Sequence, residues 1–260
     1  LLVRPIRDTR VPPLSRLAGW GRRVLRGILP VDCHGCQRPL DDDPVALFCR
    51  DCWSAIAPLS VPQCGRCGVP FMSKSALTFS PTHRCGVCRA KAPAYTQAWS
   101  LFPYTGTLKV AISLLKYQGK VVLDSALCDL VSLEMSAKVL PACDGVLPVP
   151  LHPLRLRERE FNQAALLATM VSRILAVPRL CGALRRDRET LPQTALSRTS
   201  RQNNLRGAFS VARPDVVKGK TLLLVDDVMT TGATVHECAK VLRKAGAGDV
   251  FVLTLARTCR

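Results

Sequence analysis

Residues 222–235 read LLLVDDVMTTGATV, and this stretch decides the fold. Four apolar residues open it, which is typical of a strand buried between helices on both faces of a parallel sheet. Asp226 and Asp227 follow at the carboxyl end of that predicted strand. Ligands of open α/β sheets bind at this edge, where the strand-to-helix turns form a crevice. The pattern therefore predicts an α/β fold with a parallel sheet and a ligand site beside Asp226 and Asp227.

The turn after the acidic pair has the composition of an anion site. It consists of Thr230, Thr231, Gly232, Ala233 and Thr234, and a helical pattern follows it. Small residues let the backbone approach an anion, and the unpaired N–H groups of a helix N-terminus favour negative charge. The two carboxylates would repel a phosphate, so we expect them to bind ribose hydroxyls or Mg²⁺. The order of the acidic pair and the turn along the chain indicates a site for a phosphorylated ribose. The alternative is a strand-to-helix turn without a ligand, in which a threonine caps the helix.

Residues 225–234 resemble the phosphoribosyl diphosphate (PRPP) signature of type I phosphoribosyltransferases. Residues 148–150 (PVP), 159–163 (REFNQ), 201–204 (RQNN) and 207–209 (GAF) are similar to the ComF (ComFC/GntX-like) family, which is associated in some bacteria with competence for DNA uptake. The resemblance covers nearly the whole chain. It implies a type I phosphoribosyltransferase fold with an N-terminal double zinc ribbon. A P-loop NTPase is disfavoured, because the GxxxxGK(S/T) signature is absent from the sequence.

The resemblance also implies roles for the residues of the signature. The acidic pair would contact the ribose hydroxyls, and the loop at residues 230–234 would hold the 5-phosphate. The implied reaction is displacement at ribose C1 with diphosphate leaving, which needs positioning, Mg²⁺ and cations rather than a protein nucleophile. Asp226, Asp227 and Arg159 are therefore the candidate catalytic residues. No sequence motif shared among these enzymes identifies the acceptor substrate.

Cationic side chains elsewhere in the chain are candidates for holding the same ligand. Arg155, Arg157 and Arg159 resemble, by their place in the chain, the pyrophosphate loop of the family, and they would offset diphosphate charge. Lys116 belongs to a KYQG stretch that resembles the family's KYxG; it either reaches the ligand or is a lysine placed favourably at a helix end. The family's RGFNQ pattern reads REFNQ here, so Glu160 replaces a glycine and its permissive backbone.

Eight cysteines form four CxxC pairs between residues 33 and 88. Two CxxC knuckles complete one tetrahedral zinc site, so the pattern predicts two structural zinc ions. A redox CxxC is normally single, which disfavours that interpretation. We expect neighbouring pairs to share an ion, with an interleaved arrangement as the alternative. The predicted ligands are Cys33, Cys36, Cys49 and Cys52 for one ion, and Cys64, Cys67, Cys85 and Cys88 for the other.

Apolar periodicity predicts alternating strands and helices after residue 94. The predicted strands are 96–104, 146–150, 222–225 and 250–256, and the predicted helices are 108–115, 123–131, 161–175 and 235–242. A chain of 260 residues with 48% hydrophobic content can bury one large core beside a small module. We therefore expect a basic segment at 1–30, a double zinc ribbon at 31–93 and a phosphoribosyltransferase-like domain at 94–260.

The net charge of the chain indicates what kind of molecule it binds. The net charge is +18, from 37 Lys and Arg against 19 Asp and Glu, and arginines cluster in residues 1–30 and 185–206. Polyanions such as single-stranded DNA are natural partners of such a surface, although a merely solvated basic surface is the alternative. The segment 185–206 also matches the place of the family's mobile loop over PRPP, and long polar loops in compact domains are often functional.

Two functions stay open on these observations. One is a PRPP- and Mg²⁺-binding phosphoribosyltransferase with a role in DNA uptake. The other is a non-enzymatic protein of the same fold that binds single-stranded DNA or proteins of the competence machinery. No apolar run reaches the roughly 18 to 20 residues that a membrane span needs, and CxxC pairs beside a nucleotide-metabolite fold favour a reducing cytoplasm.

Overall fold

The computed structural model of the chain describes residues 31–41, 43–71, 83–136, 138–189 and 205–259. The predictions for residues 1–30, and for residues 190–204 of the arginine-rich segment, lie outside these ranges. Within the described ranges, no helix combines the length and the apolar character needed to cross a membrane.

Strands and helices alternate along the described chain. The strands are β1 Gln97–Pro103, β2 Gly145–Pro148, β3 Leu184–Arg186, β4 Phe209–Val211, β5 Leu222–Met229 and β6 Val250–Arg257. The α-helices are α1 Arg50–Ser54, α2 Gly86–Ala90, α3 Gly106–Gln118, α4 Asp124–Ser136, α5 Pro153–Arg159, α6 Gln163–Leu175 and α7 Ala233–Lys244. Four strands form a parallel sheet in the order β1, β6, β5, β2, while β3 and β4 pair antiparallel. The predicted α/β fold with a parallel sheet is confirmed.

Strand β5 is covered on both faces. Its apolar side chains alternate, so Leu223 and Val225 belong to one hydrophobic cluster while Leu222 and Leu224 belong to another. The first cluster includes the buried residues of α3 and α4 and most of the buried apolar residues of α6, and the second includes those of α7. This three-layer arrangement explains the unbroken apolar run in the sequence, because neither face of the strand meets solvent.

Two strand boundaries differ from the predictions by more than one residue. The predicted strand 222–225 continues to Met229, because β6 runs beside it and pairs Asp226 with Thr254 and Met229 with Arg257. The acidic pair therefore lies within the strand rather than after it. The predicted strand 146–150 ends at Pro148, where the register with β5 stops at Val225. The N–H of Val149 still donates to the carbonyl of Val225 at 2.8 Å, whereas the N–H of Val146 donates to the carbonyl of Pro178 on the outer side, so the nitrogen of Pro148 also faces the outer edge, where a proline is tolerated.

Two segments expected to be irregular contain regular structure. The arginines of the predicted pyrophosphate loop lie on a seven-residue helix, α5, which begins at Pro153. Proline is favoured in the first turn of a helix because its missing N–H would have no partner there. Arg186, in the segment predicted to be a loop, belongs to β3 and pairs with Phe209 of β4.

The two cysteine modules pack against the sheet and α3. The first module carries Cys33 to Cys52 and the second carries Cys64 to Cys88. Between them, the backbone N–H of Leu59 donates to the carbonyl of Leu101 in β1 at 2.8 Å. In the second module, the carbonyl of Arg66 accepts from the N–H of Ala98 in β1 at 2.9 Å. Because β1 is the last strand of the sheet on this side, these bonds cover its outer edge.

Candidate functional site

The adjacent carboxylates on β5 point in different directions. Successive side chains of a strand alternate between its faces, so Asp227 lies on the α3 side and Asp226 on the α7 side. Lys116, near the end of α3, forms an ion pair with Asp227, with Nζ 2.7 Å from Oδ2 and each side chain only 14% exposed. Asp226 lies within electrostatic reach of Lys116, and also of Arg186 and of the buried thiol of Cys238.

Several charged side chains lie close to Asp226 and Asp227. Burial and the neighbouring carboxylate of Asp227 raise the pKa of Asp226 to about 7, against the lowering effect of Lys116 and Arg186. Burial opposes the charge of Lys116, but the attraction of Asp227 outweighs it and the pKa of Lys116 is raised. A further cation would make it easier for Asp226 to ionise. Carboxylate oxygens are the hard ligands that Mg²⁺ prefers, so the residues present fit that ion.

The turn between β5 and α7 is built around Gly232. This residue has φ +78° and is the N-cap of α7, a helix of 12 residues. A Cβ atom at this position would lie 3.0 Å from Cε of Met229 and 3.5 Å from the hydroxyl of Tyr95. Only glycine takes this conformation and this close contact without strain. The turn thus presents the first N–H groups of α7 at the carboxyl edge of the sheet, as an anion site requires.

The three threonines of the turn have different surroundings. Thr231 accepts a hydrogen bond from the N–H of Ala233 at 3.4 Å, so its side chain helps to begin α7. The carbonyl of Thr230 accepts a 3.5 Å bond from the hydroxyl of Thr258, just beyond β6. Thr234, in the first turn of the helix, is partly buried. The five predicted phosphate-loop residues therefore lie together at one helix start.

The predicted cations reach the site to different extents. The guanidinium of Arg159 lies over the ring of Tyr117, 5.3 Å from its centroid, and Tyr117 is the neighbour of Lys116. Arg155 forms an ion pair with Glu158 at 2.9 Å, and Arg157 is exposed on α5. The structure thus places Lys116 against Asp227, and Arg159 against Tyr117 and within electrostatic reach of Arg186. Arg157 has no such contact among the described residues.

Arg186 is a candidate residue that sequence reasoning missed. Burial lowers the pKa of Arg186, the nearby charges of Arg155 and Arg159 lower it further, and Asp226 opposes them. Its guanidinium lies 5.5 Å from the ring centroid of Phe209. Phe209 belongs to the GAF stretch noted in the sequence, so that stretch already contained the residue on which Arg186 stacks. We add Arg186 to the candidate site.

The eight CxxC cysteines form two compact clusters. In each cluster the four Sγ atoms lie within 4.8 Å of one another, and the clusters join neighbouring CxxC pairs rather than interleaved ones. Backbone N–H groups point at the thiols: Cys33 accepts from Cys49 at 3.3 Å, and Cys64 accepts from Cys85 at 3.3 Å. Burial opposes ionisation of Cys33, but the N–H donors prevail and lower its pKa to about 6. Four thiolates at such spacing fit tetrahedral zinc.

Comparison with known proteins identifies the family. Residues 24–89 match the double zinc ribbon domain, and residues 162–258 match the phosphoribosyl transferase domain. Competence protein F of Haemophilus influenzae is 35% identical over 215 residues, which cover 81% of this chain and 90% of that protein. The chain belongs to the ComF family. The resemblance stated from the sequence is therefore confirmed, and the two cysteine clusters with the double zinc ribbon match support structural zinc.

A second ComF-family relative is the DNA utilization protein YhgH of Escherichia coli O157:H7. It is 34% identical over 223 residues, which cover 80% of this chain and 96% of that protein. Among solved structures, glutamine phosphoribosylpyrophosphate amidotransferase from B. subtilis is 23% identical, with a TM-score of 0.36, over 51% of this chain and 26% of that chain.

The departure from the ComF pattern at Glu160 has a visible backbone consequence. Glu160 is the C-cap of α5 and has φ +63° and ψ −18°, in the left-handed region. Glycine adopts this region freely, whereas a residue with a Cβ is strained there. The next residues resume the family pattern: Asn162 caps α6 by accepting from the N–H of Ala164 at 3.0 Å, and it donates to the carbonyl of Val149 at 3.0 Å. The backbone shape of the REFNQ stretch is thus one that glycine favours.

Proposed function

We propose that this ComF-family chain binds PRPP with Mg²⁺ at the carboxyl end of β5 and transfers its phosphoribosyl group with release of diphosphate. One observation carries the proposal. The acidic residues Asp226 and Asp227 are followed, within one turn, by a glycine-capped helix start whose first N–H groups lie at the same sheet edge. A ribose 5-phosphate carries its diol and its phosphate in that order.

Different site residues would bind different parts of PRPP. Asp226 and Asp227 would hold Mg²⁺ or accept hydrogen bonds from the ribose hydroxyls, while the N–H groups at the start of α7 would bind the 5-phosphate. Mg²⁺, when bound, supplies positive charge that neutralises the diphosphate. Lys116 orients Asp227 through their 2.7 Å ion pair.

The reaction forms one bond and breaks one. The acceptor forms a bond to ribose C1, the bond from C1 to the diphosphate oxygen breaks, and the diphosphate leaves with the electron pair. Arg159 and Arg186, on α5 and β3, would be the cations that stabilise that departing charge.

Calorimetric titration tests the binding step. The wild-type chain should bind PRPP in a Mg²⁺-dependent manner, and the double variant Asp226→Ala with Asp227→Ala should not. Asp249→Ala is a matched control, because Asp249 precedes β6 at the opposite end of the sheet and is exposed. Equal PRPP affinity in the double variant and the wild type would refute the site assignment. A screen for diphosphate release over nucleobases then tests transfer and identifies the acceptor.

A second candidate function has its own support. The net charge of +18, with relatives named for competence and DNA utilization, favours a non-enzymatic protein that binds single-stranded DNA. PRPP binding without diphosphate release for any base would favour this candidate. In either case we propose a cytoplasmic location, since thiolate clusters persist in reducing compartments, and we propose competence-machinery proteins as partners.

A further inference from the structure

The turn at residues 230–232 rests on the side chain of Met229. Met229 is the last residue of β5 and is 3% exposed, and its Cε lies 3.0 Å from the position that a Cβ would take at Gly232. The next atom of the same side chain, Sδ, lies 3.7 Å from Nη1 of Arg257. Because packed interiors transmit small displacements, a shift of the Arg257 guanidinium would move the support under the turn.

Arg257 joins that support to the second cysteine module. It ends β6, is only 4% exposed, and its Nη1 donates a hydrogen bond to the carbonyl of Cys67. The next residue, Thr258, donates from its N–H to the carbonyl of Met229 at 3.1 Å and from its hydroxyl to the carbonyl of Thr230 at 3.5 Å. The end of β6 therefore contacts the turn on one side and the cysteine module on the other.

The knuckle that carries Cys67 lies directly on β1. A Cβ at Gly68 would meet the carbonyl oxygen of Ala98 at 2.6 Å, and Gly68 has φ +67°, so only glycine fits there. Cys67 is a predicted ligand of the second zinc ion, and metal binding is coupled to folding in small cysteine modules. We therefore expect the Cys67 carbonyl to hold its position best when the second cluster contains zinc.

The charge of Arg257 also connects it to the second cluster. Its Nε has no hydrogen-bond partner among the described residues, and burial of a charged group is costly unless opposite charge lies nearby. A zinc ion with four thiolates carries about two negative charges. Zinc in the second cluster therefore favours the buried position of the guanidinium, which is the position that supports the turn.

The first cysteine cluster packs on the other side of the sheet. Its buried members Cys33 and Cys49 belong to the hydrophobic cluster that includes α3, whereas Cys67 packs against the one that includes α7. A Cβ at Gly35 would lie 3.5 Å from the hydroxyl of Thr107, near the start of α3. The two predicted zinc sites should therefore affect the turn differently, and the first is an internal control for the second.

We propose that Arg257 is a positioning residue for the turn at residues 230–232, and that it makes phosphate binding there depend on zinc in the second cysteine cluster rather than the first. The proposal rests on the PRPP site proposed above and names how that site is regulated. Coupling between two binding sites is reciprocal. PRPP should therefore strengthen zinc binding by the same factor by which zinc strengthens PRPP binding.

Hydrogen exchange of the ligand-free, zinc-loaded chain tests the positioning role. Arg257→Met keeps a long side chain in the buried site but removes the charge and the hydrogen bond to Cys67. Amides of residues 230–235 should then exchange about tenfold faster, with two zinc ions still bound. Arg257→Lys, which keeps a cationic donor, should restore slower exchange.

Arg243→Met is the matched control for this measurement. Arg243 lies in the last turn of α7 and donates to the hydroxyl of Thr96 at 2.9 Å, so its loss should not change exchange at residues 230–235. Faster exchange over the whole chain in Arg257→Met would indicate lost stability and would contradict a positioning role. So would equal exchange at the turn in the two methionine variants.

Titrations at free zinc concentrations fixed by a chelator buffer test the dependence on the second cluster. In Cys33→Ser only the second cluster should hold zinc, and saturating PRPP with Mg²⁺ should lower its zinc Kd about tenfold. In Cys64→Ser only the first cluster should hold zinc, and its zinc Kd should not change. Adding Arg257→Met to Cys33→Ser should abolish the shift. An equal shift in both cysteine variants, or a shift that survives Arg257→Met, would overturn the proposal.

The two measurements separate this proposal from the PRPP proposal. If the wild type binds no PRPP while Arg257→Met still speeds exchange at the turn alone, the PRPP proposal fails and the positioning role stands. If PRPP binds but neither exchange at the turn nor zinc affinity responds, the positioning role alone fails. The titration of Cys33→Ser needs no substitution at Arg257, so it tests the zinc dependence even if Arg257→Met loses its fold.

Discussion

Asp226→Asn is expected to stabilise the ligand-free protein at pH 8 while abolishing Mg²⁺-dependent PRPP binding. Asp226 must ionise beside Asp227, in a partly buried site, when the pH is alkaline. Asparagine has nearly the same shape and no charge, and its side-chain oxygen can keep the 2.9 Å hydrogen bond from the N–H of Asp227. The substitution removes the repulsion and retains the packing.

The size of the effect follows from the pKa. The folded-state pKa of Asp226 is about 7, against 3.8 for an ordinary aspartate, and each pKa unit corresponds to about 1.36 kcal/mol. A carboxyl whose folded pKa is raised destabilises the folded protein above that pKa, and the cost is relieved as the pH falls through 7 towards 4. The expected gain for Asp226→Asn is therefore up to about 4 kcal/mol at pH 8, falling below about 2 kcal/mol at pH 5.

Thermal unfolding of the zinc-loaded protein at the two pH values measures this gain. For a domain of this size, about 1 kcal/mol shifts Tm by roughly 2 to 4 °C, so the increase at pH 8 is up to about 8 to 16 °C. Lys116→Met is the opposite control: it leaves both carboxylates without their lysine and should lower Tm at pH 8 more than at pH 5. An Asp226→Asn variant that is less stable than the wild type at pH 8 would refute the electrostatic argument.

Three further predictions follow from the described geometry and from charge. Glu160→Gly should raise the stability by roughly 1 kcal/mol in chemical denaturation, because it relieves left-handed backbone strain, whereas Glu160→Ala should give no such gain. Elemental analysis should find two zinc ions per chain and one in Cys33→Ser; Cys181→Ser, at an exposed thiol outside the clusters, should retain both. Oligo(dT) affinity should fall with salt at a log–log slope of about −0.7 per phosphate contact, and binding that is undetectable at about 50 mM salt would contradict a DNA-binding surface.

The elements that sequence predicted best are those with strong local signals. The LLLV run indicated a buried parallel strand, and the structure has β5 at that place. The CxxC spacing indicated the four thiol pairs, because each knuckle is formed within four residues, and the expected sharing of an ion by neighbouring pairs agrees with the two clusters. Gly119 of the KYQG stretch ends α3 with φ +61°, a helix end that the sequence position of glycine indicates.

What could not be predicted depends on contacts between distant segments. The extension of β5 to Met229 follows from its register with β6, and no local pattern encodes that register. The opposite directions of Asp226 and Asp227 follow from that extension, since residues within a strand alternate and residues of a loop need not. The ion pair from Lys116 to Asp227 joins elements more than 100 residues apart. Arg186 was missed because its stacking partner lies across the β3–β4 pair.

The hydrogen bonds from the cysteine modules to β1 have a consequence for how the protein matures. A parallel sheet with a bare outer strand is a template for pairing with other chains, and here metal-dependent modules cover that strand. If the modules need zinc to fold, we expect metal supply to protect the newly made chain against self-association as well as to shape its cysteine modules. Zinc starvation should then appear in cells as aggregated protein before it appears as lost ligand binding.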